Sequence, residues 1–251
     1  MQRLDGKTIA VTGAAGGLGG PLVTFLHEMG ASVWGIDRVD CRGCDRSIIA
    51  DLSDDASLGS LSQKLAEDTP DILVNLAGVM RFGLHERQTA EFIGLCYRVN
   101  LEVPAVLAAA VAKPMRERRS GQIVNVGSVL GSIPYPWFAA YSSSKAGLAA
   151  LSQGLRRELE GTGVAVTHIN PRAAKTPFNN ADVNRFLDIT GMKADPPVGV
   201  ARTIAQAIAA RRHTVNIGAM ERIYAALNAI APRLIDGGLA GQVRKARLEF
   251  S

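Results

Sequence analysis

Thr8-Ile9-Ala10-Val11-Thr12-Gly13-Ala14-Ala15-Gly16-Gly17-Leu18-Gly19 is a short apolar run that breaks into glycines and leads, through Leu22, Val23, Phe25 and Leu26, into a helix-length segment. Strand, Gly-rich turn and helix in that order form the opening unit of a βαβ fold. The glycines allow a tight turn and let the backbone approach a pyrophosphate, while the N–H groups at the helix N-terminus supply donors for its charge. Pro21 falls in the first helical turn, where its missing N–H costs little. A Gly-rich loop alone is weak evidence; the strand before it and the helix after it give it weight.

The same alternation continues along the chain. Ser32–Ile36, Ser47–Ala50, Ile72–Asn75, Gln122–Val126, Val164–Ile169 and Thr214–Ile217 are short apolar runs separated mostly by helix-length segments. Short continuous runs of this kind suit strands buried on both faces, so the expected fold is α/β, a doubly wound parallel sheet of about seven strands with helices on both faces. A chain of 251 residues is ample for one such domain. Residues 1–218 are expected to form it. Within them, 173–200 carries Pro177, Gly191, Pro196 and Pro197 and reads as an irregular lid or binding loop. Residues 219–251 read as a helical extension: Ile223, Leu227, Ile230 and Leu234 make one apolar stripe beside Arg222 and Arg233. Packing against its own domain or a sister subunit is the default, with a weak membrane-surface contact as the alternative.

Composition narrows the class. Hydrophobic residues make up 47%, no uninterrupted apolar run is long enough to span a bilayer, and the N-terminal residues lack the apolar core of a secretory signal, so a cytoplasmic protein is expected. The formal charge of +5 is uneven: twenty basic and twenty acidic residues up to Ala201, then eight basic against three acidic. A charge excess confined to the C-terminal part argues against a nucleic-acid partner. Cys41, Cys44 and Cys96 cannot form a disulfide framework, and the lone CxxC at Cys41–Cys44 reads as a reduced loop; no metal site is expected.

Two further features carry chemistry. The second strand ends at Asp37, eighteen residues past Gly19, where a carboxylate can accept hydrogen bonds from ribose hydroxyls and repel a 2′-phosphate. NAD is therefore favoured over NADP, although the adjacent Arg38 could accommodate that phosphate. Tyr141 and Lys145 stand four residues apart on a helix-forming stretch and hence on one face, with an ammonium beside a phenol. A nearby positive charge lowers a phenol pKa from about 10 and makes it a usable acid or base.

With these residues in order, the sequence resembles the short-chain dehydrogenases/reductases over essentially its whole length. The motifs are Thr12-Gly13-x-x-x-Gly17-x-Gly19, Asp51-Leu52, Asn75-Leu76-Ala77-Gly78, Asn100, Ser128 and Tyr141-x-x-x-Lys145. The resemblance implies a Rossmann-like dinucleotide-binding and catalytic domain, with Asn100, Ser128, Tyr141 and Lys145 as catalytic residues. It implies cofactor contacts from Gly13, Gly17, Leu18, Gly19, Asp37, Arg38, Asp51, Leu52, Asn75, Ala77, Gly78, Tyr141, Lys145, Pro171 and Thr176. In detail, Asp51 is expected on the adenine ring, Asn100 holding a water in a proton relay, and Thr176 on the nicotinamide carboxamide. Arg172 is a departure, since the family has Gly there; a cation at that point could alter nicotinamide approach or reach an anionic group.

The expected reaction is hydride transfer between a nicotinamide and a substrate carbon, with Tyr141 as acid/base, Lys145 as its electrostatic partner and Ser128 bonding the substrate oxygen. Val129, Leu130, Ile133, Pro134, Tyr135, Pro136, Trp137 and Phe138, with Phe178, Phe186 and Leu187 from the lid, suggest an apolar pocket for a hydrophobic or aromatic secondary alcohol and its ketone. The alternatives are an NADPH-dependent carbonyl or 3-oxoacyl-thioester reductase, for which a basic strand end would be expected, and, remotely, a non-catalytic dinucleotide sensor. A homodimer or homotetramer is expected.

Overall fold

The computed structural model describes residues 3–250; Met1, Gln2 and Ser251, at the outer ends of the two expected segments, lie outside it. Seven parallel strands, β1 (Thr8–Thr12), β2 (Ser32–Asp37), β3 (Arg46–Ile49), β4 (Ile72–Asn75), β5 (Gly121–Val126), β6 (Val164–Asn170) and β7 (Thr214–Asn216), form one sheet in the order β3-β2-β1-β4-β5-β6-β7. All seven expected strands are present, with ends shifted by a residue or so. The order reverses between β1 and β4, and a doubly wound sheet opens its ligand crevice at that switch point, outside the carboxyl ends of the strands.

Helices cover both faces because each buries one apolar stripe on the sheet. On one side, α1 (Gly19–Glu28) and α7 (Pro197–Ala209) pack over the core of Ile9, Val11, Leu22, Leu26, Val124 and Ile204. On the other, α2 (Asp55–Glu67) and α4 (Val103–Glu117) bury Leu61, Leu65, Leu107, Val111 and Met115 against Leu73 and Ile123. Cutting one of these, such as the fully buried Leu107 or Met115, to alanine costs about 2–5 kcal/mol. The helix α3 (Ala90–Tyr97) runs through a wide turn, Arg98–Glu102, into α4. The continuous stretch Ala90–Glu117 is 28 residues long and apolar enough, by length and composition, to cross a membrane. Its apolar residues on α4 are those just placed against the sheet, as in the core helix of a globular domain.

Polar groups cross the sheet where the catalytic elements attach. Asn75 Nδ2 donates to Asn125 Oδ1 (2.8 Å), Asn125 Nδ2 to Ser152 Oγ on α5 (Ala139–Glu158) (2.9 Å), and Ser152 meets His168 Nδ1 at 3.1 Å. His168 Nε2 meets Asn170 Oδ1 (2.8 Å), whose amide nitrogen donates to Asn216 (2.8 Å). A partnered chain of buried polar groups rigidifies β4 to β7. Burial pushes the His168 imidazole down to about 4, so it is neutral at pH 7.

Residues 173–200 are more regular than the sequence suggested. Asn180 Oδ1 accepts from Val183 N (2.9 Å) and starts α6 (Ala181–Thr190), which Gly191 ends at φ 70°. An Ala174–Asp195 bridge closes the base of this lid. Phe186, expected to line a substrate pocket, is instead buried with Phe82, Trp137, Phe138 and Phe250. The extension forms α8 (Ala219–Ile230) and α9 (Pro232–Phe250); α9 lies on α6 and contributes Ala246 and Phe250 to that aromatic cluster.

Candidate active site

The phosphate loop sits at the carboxyl end of β1. Gly13 takes φ 73°, and a Cβ there would lie 2.9 Å from Ala77 Cα, so only glycine brings β1 and the β4 loop this close. Thr12 Oγ1 fastens the same pair of loops by accepting from Leu76 N (3.0 Å) and Ala77 N (3.1 Å). A Cβ on Gly17 would lie 2.7 Å from Thr176 Cβ, which places the expected carboxamide contact directly above the loop. No side chain caps the N-terminus of α1; Gly20 N donates to Gly16 O (3.1 Å) and Pro21 has no N–H, so the donors left to an anion are those of Leu18 and Gly19 at the start of the turn.

Asp37 ends β2 beside this loop. Its Oδ2 accepts from Ala15 N (3.1 Å) and its Oδ1 from Arg38 N (2.8 Å). Asp51 Oδ1 accepts from Ser53 Oγ (2.7 Å) and Ser53 N (2.8 Å), and these bonds hold its carboxyl below the usual range. Asp37, Arg38, Asp51 and Leu52 line one end of a cleft of about 820 Å³; Gly13, Gly17, Leu18, Gly19, Ala77, Gly78, Pro171 and Thr176 line its middle. A carboxylate at the far end, glycines that leave room for a pyrophosphate and an uncapped helix N-terminus fit a dinucleotide. Asn75 is not part of the cleft wall: its side chain is buried in the sheet and supports it.

At the other end of the cleft stand Ser128, Tyr141 and Lys145. Tyr141 and Lys145 lie on α5, with the ammonium 5.9 Å from the phenol ring centre. Lys145 Nζ donates to Val126 O (2.9 Å). Burial pushes the Tyr141 phenol up to about 12, Ser128 draws it down by a hydrogen bond, and Cys96 adds a further rise. Burial lowers Lys145 to about 8. The expected lowering of the phenol by Lys145 is therefore not what governs the protein alone: desolvation of both groups prevails, and Tyr141 holds its proton at neutral pH.

Asn100 lies in the wide helical turn and is fully buried. It clamps Val79, accepting from its N–H and donating to its carbonyl (both 2.9 Å), and its Nδ2 also reaches Ser144 Oγ (3.0 Å). Its oxygen faces the same glycine as Lys145 Nζ: a Cβ on Gly78 would lie 3.1 Å from Asn100 Oδ1 and 3.6 Å from that ammonium. Such turns recur at functional sites, and here one joins the β4 loop to α5.

Arg172 lines the cleft and reaches anionic groups, but these are the protein's own: Nε and Nη2 grip Asp195 (3.0 and 2.5 Å), and Nη1 reaches Glu221 on α8 (3.1 Å). Two carboxylates neutralise it, hold it above the ordinary guanidinium range and tie the lid base to α8. Sequence reading missed Glu221, Met220 and Tyr224 as parts of the cleft wall, and Asp195 as the partner of Arg172; only the fold brings them there. The apolar end is lined by Leu130, Ile133, Tyr135, Phe138, Phe178 and Leu187, together with Met192, Met220 and Tyr224, whereas Trp137 belongs to the aromatic core.

A family model described as short chain dehydrogenase matches residues 7–185. The chain belongs to the short-chain dehydrogenases. This dehydrogenase is 36% identical over 196 residues to a short chain dehydrogenase of Pseudocercospora fijiensis, covering 72% of its own chain and 63% of that relative, and so spans less than two thirds of that protein's length. It is 31% identical over 226 residues to the 3-oxoacyl-[acyl-carrier-protein] reductase FabG of Escherichia coli, covering 83% and 90% of the two chains. Among solved structures, it resembles a protein of Beutenbergia cavernae proposed to be an NAD(P) dependent gluconate 5-dehydrogenase, with NADP bound at low occupancy (TM-score 0.76, 26% identity, 85% and 95% coverage). It likewise resembles a 4-hydroxyisoleucine dehydrogenase complexed with NADH (TM-score 0.73, 25% identity, 84% and 96% coverage). The chain is thus an oxidoreductase of a family that acts with NAD(P) on CH–OH donors.

Proposed function

We propose that this dehydrogenase interconverts a bulky hydrophobic secondary alcohol and its ketone with NAD. The observation that carries the reading is the cleft itself, which runs from Asp37 past the glycine loop to Ser128, Tyr141 and Lys145 and is walled at that end by apolar side chains of the lid and α8. Asp37, held in place by Ala15 N, supports NAD because a carboxylate there repels a 2′-phosphate. With Arg172 neutralised by two carboxylates and Lys193, the cation on the lid wall, exposed to solvent, the predominantly apolar side chains at this end favour an uncharged substrate.

The cofactor supplies or accepts a hydride when bound. The protein handles the proton. Tyr141, protonated at neutral pH, gives its proton to the substrate oxygen during reduction; in oxidation it must first lose that proton and, as the phenolate, takes one from the alcohol. Ser128 donates a hydrogen bond to that oxygen, where negative charge develops. Lys145, close to half-charged near pH 8, favours the phenolate whenever it carries its proton. Asn100 fixes the Val79 backbone and α5 so that the three groups keep their places.

An NADPH-dependent reductase of carbonyls or 3-oxoacyl thioesters is the second reading. It draws on Arg38, which lines the cleft next to Asp37, and on the similarity to FabG. A panel of secondary alcohols and ketones, assayed by nicotinamide absorbance with NAD(H) and NADP(H), separates the two. Faster turnover of apolar alcohols with NAD supports the first; turnover confined to NADPH and acyl thioesters replaces it with the second. A cytoplasmic homodimer or homotetramer completes the proposal, and light scattering measures the assembly.

A further inference from the structure

The helix α8 is built inside out. Its inward face carries the polar residues: Glu221 pairs with Arg172 (3.1 Å), and Asn228 Nδ2 donates to Ser132 O (2.8 Å). Its outward face carries the apolar ones, with Met220 52%, Ile223 58% and Ile230 85% exposed, and Leu234 at the start of α9 continues the line at 65%. Soluble helices do the opposite, and a contiguous apolar strip that water must otherwise cover marks a contact surface.

What covers it is indicated by charge. Arg222, Arg233, Arg244 and Lys245 are all exposed on α8 and α9. Of the carboxylates on these helices, Glu221 and Glu249 are engaged with Arg172 and Arg185, which leaves Asp236. A contact with a second copy would bring this face, with its excess of exposed cations, against the same excess on the other copy. An anionic lipid surface instead takes the apolar side chains into its headgroup boundary and pairs the flanking cations with phosphates. The strip also opens on the cleft: Met220 and Tyr224 belong both to the exposed face and to the cleft wall. We propose that α8 and the start of α9 dock this protein on an anionic bilayer, with the mouth of the apolar cleft facing the lipid. The docking goes beyond the reaction proposed above, and vesicle binding can fail while turnover stands, or the reverse.

The test is flotation of the full chain with vesicles of phosphatidylcholine alone and of phosphatidylcholine with phosphatidylglycerol, at low and physiological salt. The expected result is binding to the anionic vesicles at least about tenfold tighter than to the neutral ones, weakening with salt. Ile223→Ser with Ile230→Ser, and separately Arg222→Glu with Arg233→Glu, are each expected to weaken it by about tenfold or more. These side chains are exposed, so circular dichroism and the thermal midpoint are expected to stay at the parent values. Absent binding, equal binding to both vesicle types, or binding that both double variants retain overturns the proposal. So does a change in mass by light scattering that depends on Ile223 and Ile230 without vesicle binding, since the strip is then a contact between copies.

Discussion

Replacing Arg172 with alanine tests whether the lid and α8 are held as one unit. The guanidinium makes two bonds to Asp195 and one to Glu221, and the three side chains are 33%, 21% and 22% exposed. An exposed pair contributes at most about 1 kcal/mol, whereas breaking a fully buried one costs about 3–5 kcal/mol. Partial exposure, with two carboxylates left facing each other, puts Arg172→Ala at about 2 kcal/mol. For a chain of this size that lowers the thermal midpoint by about 4–8 °C. Because Arg172 and Glu221 line the cleft and their pairing holds the lid base to α8, KM for a bulky alcohol is expected to rise several-fold while kcat changes less. A double-mutant cycle with Glu221→Gln is expected to show about 1 kcal/mol of coupling. A midpoint within 1 °C or so of the parent, with KM unchanged and additive effects in the cycle, refutes the clasp.

Three other outcomes follow from the same geometry. Asp37→Ala is expected to relax the preference for NAD over NADP by about tenfold or more, read as the ratio of kcat/KM values; an unchanged ratio means the carboxylate does not set it. The folded protein resists protonating His168 down to about 4, whereas the unfolded chain takes up that proton near 6.5. Stability from this group is therefore complete above pH 6.5 and declines toward pH 4 by up to about 3 kcal/mol. Denaturant midpoints across that range are expected to fall less steeply for His168→Gln, and parallel curves remove His168 from the account. With Tyr141 pushed up to about 12 and Lys145 down to about 8, phenolate is scarce at pH 7. Alcohol oxidation is expected to accelerate from pH 7 to the alkaline range while ketone reduction does not, and an oxidation optimum below neutrality contradicts this.

What could be read from the chain was local. The Thr12–Gly19 loop declares itself because strand, turn and helix follow one another, and Tyr141 and Lys145 because one helical turn separates them. The signals for the lid helix are present in Asn180, Val183, Phe186, Leu187 and Gly191, but Pro177, Pro196 and Pro197 suggested irregularity, whereas Pro196 and Pro197 open the next helix, α7. Whether an aromatic side chain lines a cleft or fills a core depends on how α6 and α9 meet, which is why Phe186 and Trp137 fell on the other side of that division. Arg172 finds its partners 23 and 49 residues away, contacts that no spacing rule anticipates. The stripe on α8 was visible in Ile223, Leu227 and Ile230, yet periodicity reports only that a helix has an apolar side; the structure turns Ile223 and Ile230 outward. Burial likewise reversed the expected state of Tyr141, because desolvation by the surrounding chain outweighs a neighbour visible at i+4.

The most direct measurement is turnover of Tyr141→Phe beside the parent protein, followed by nicotinamide absorbance with an apolar secondary alcohol and NAD, with NADH affinity measured in parallel by fluorescence. Removing one hydroxyl from the cleft is expected to lower kcat by about 100-fold to 10,000-fold while NADH affinity stays within a few-fold. Turnover retained at the parent rate would contradict the account, since the proton would then pass through a group other than Tyr141.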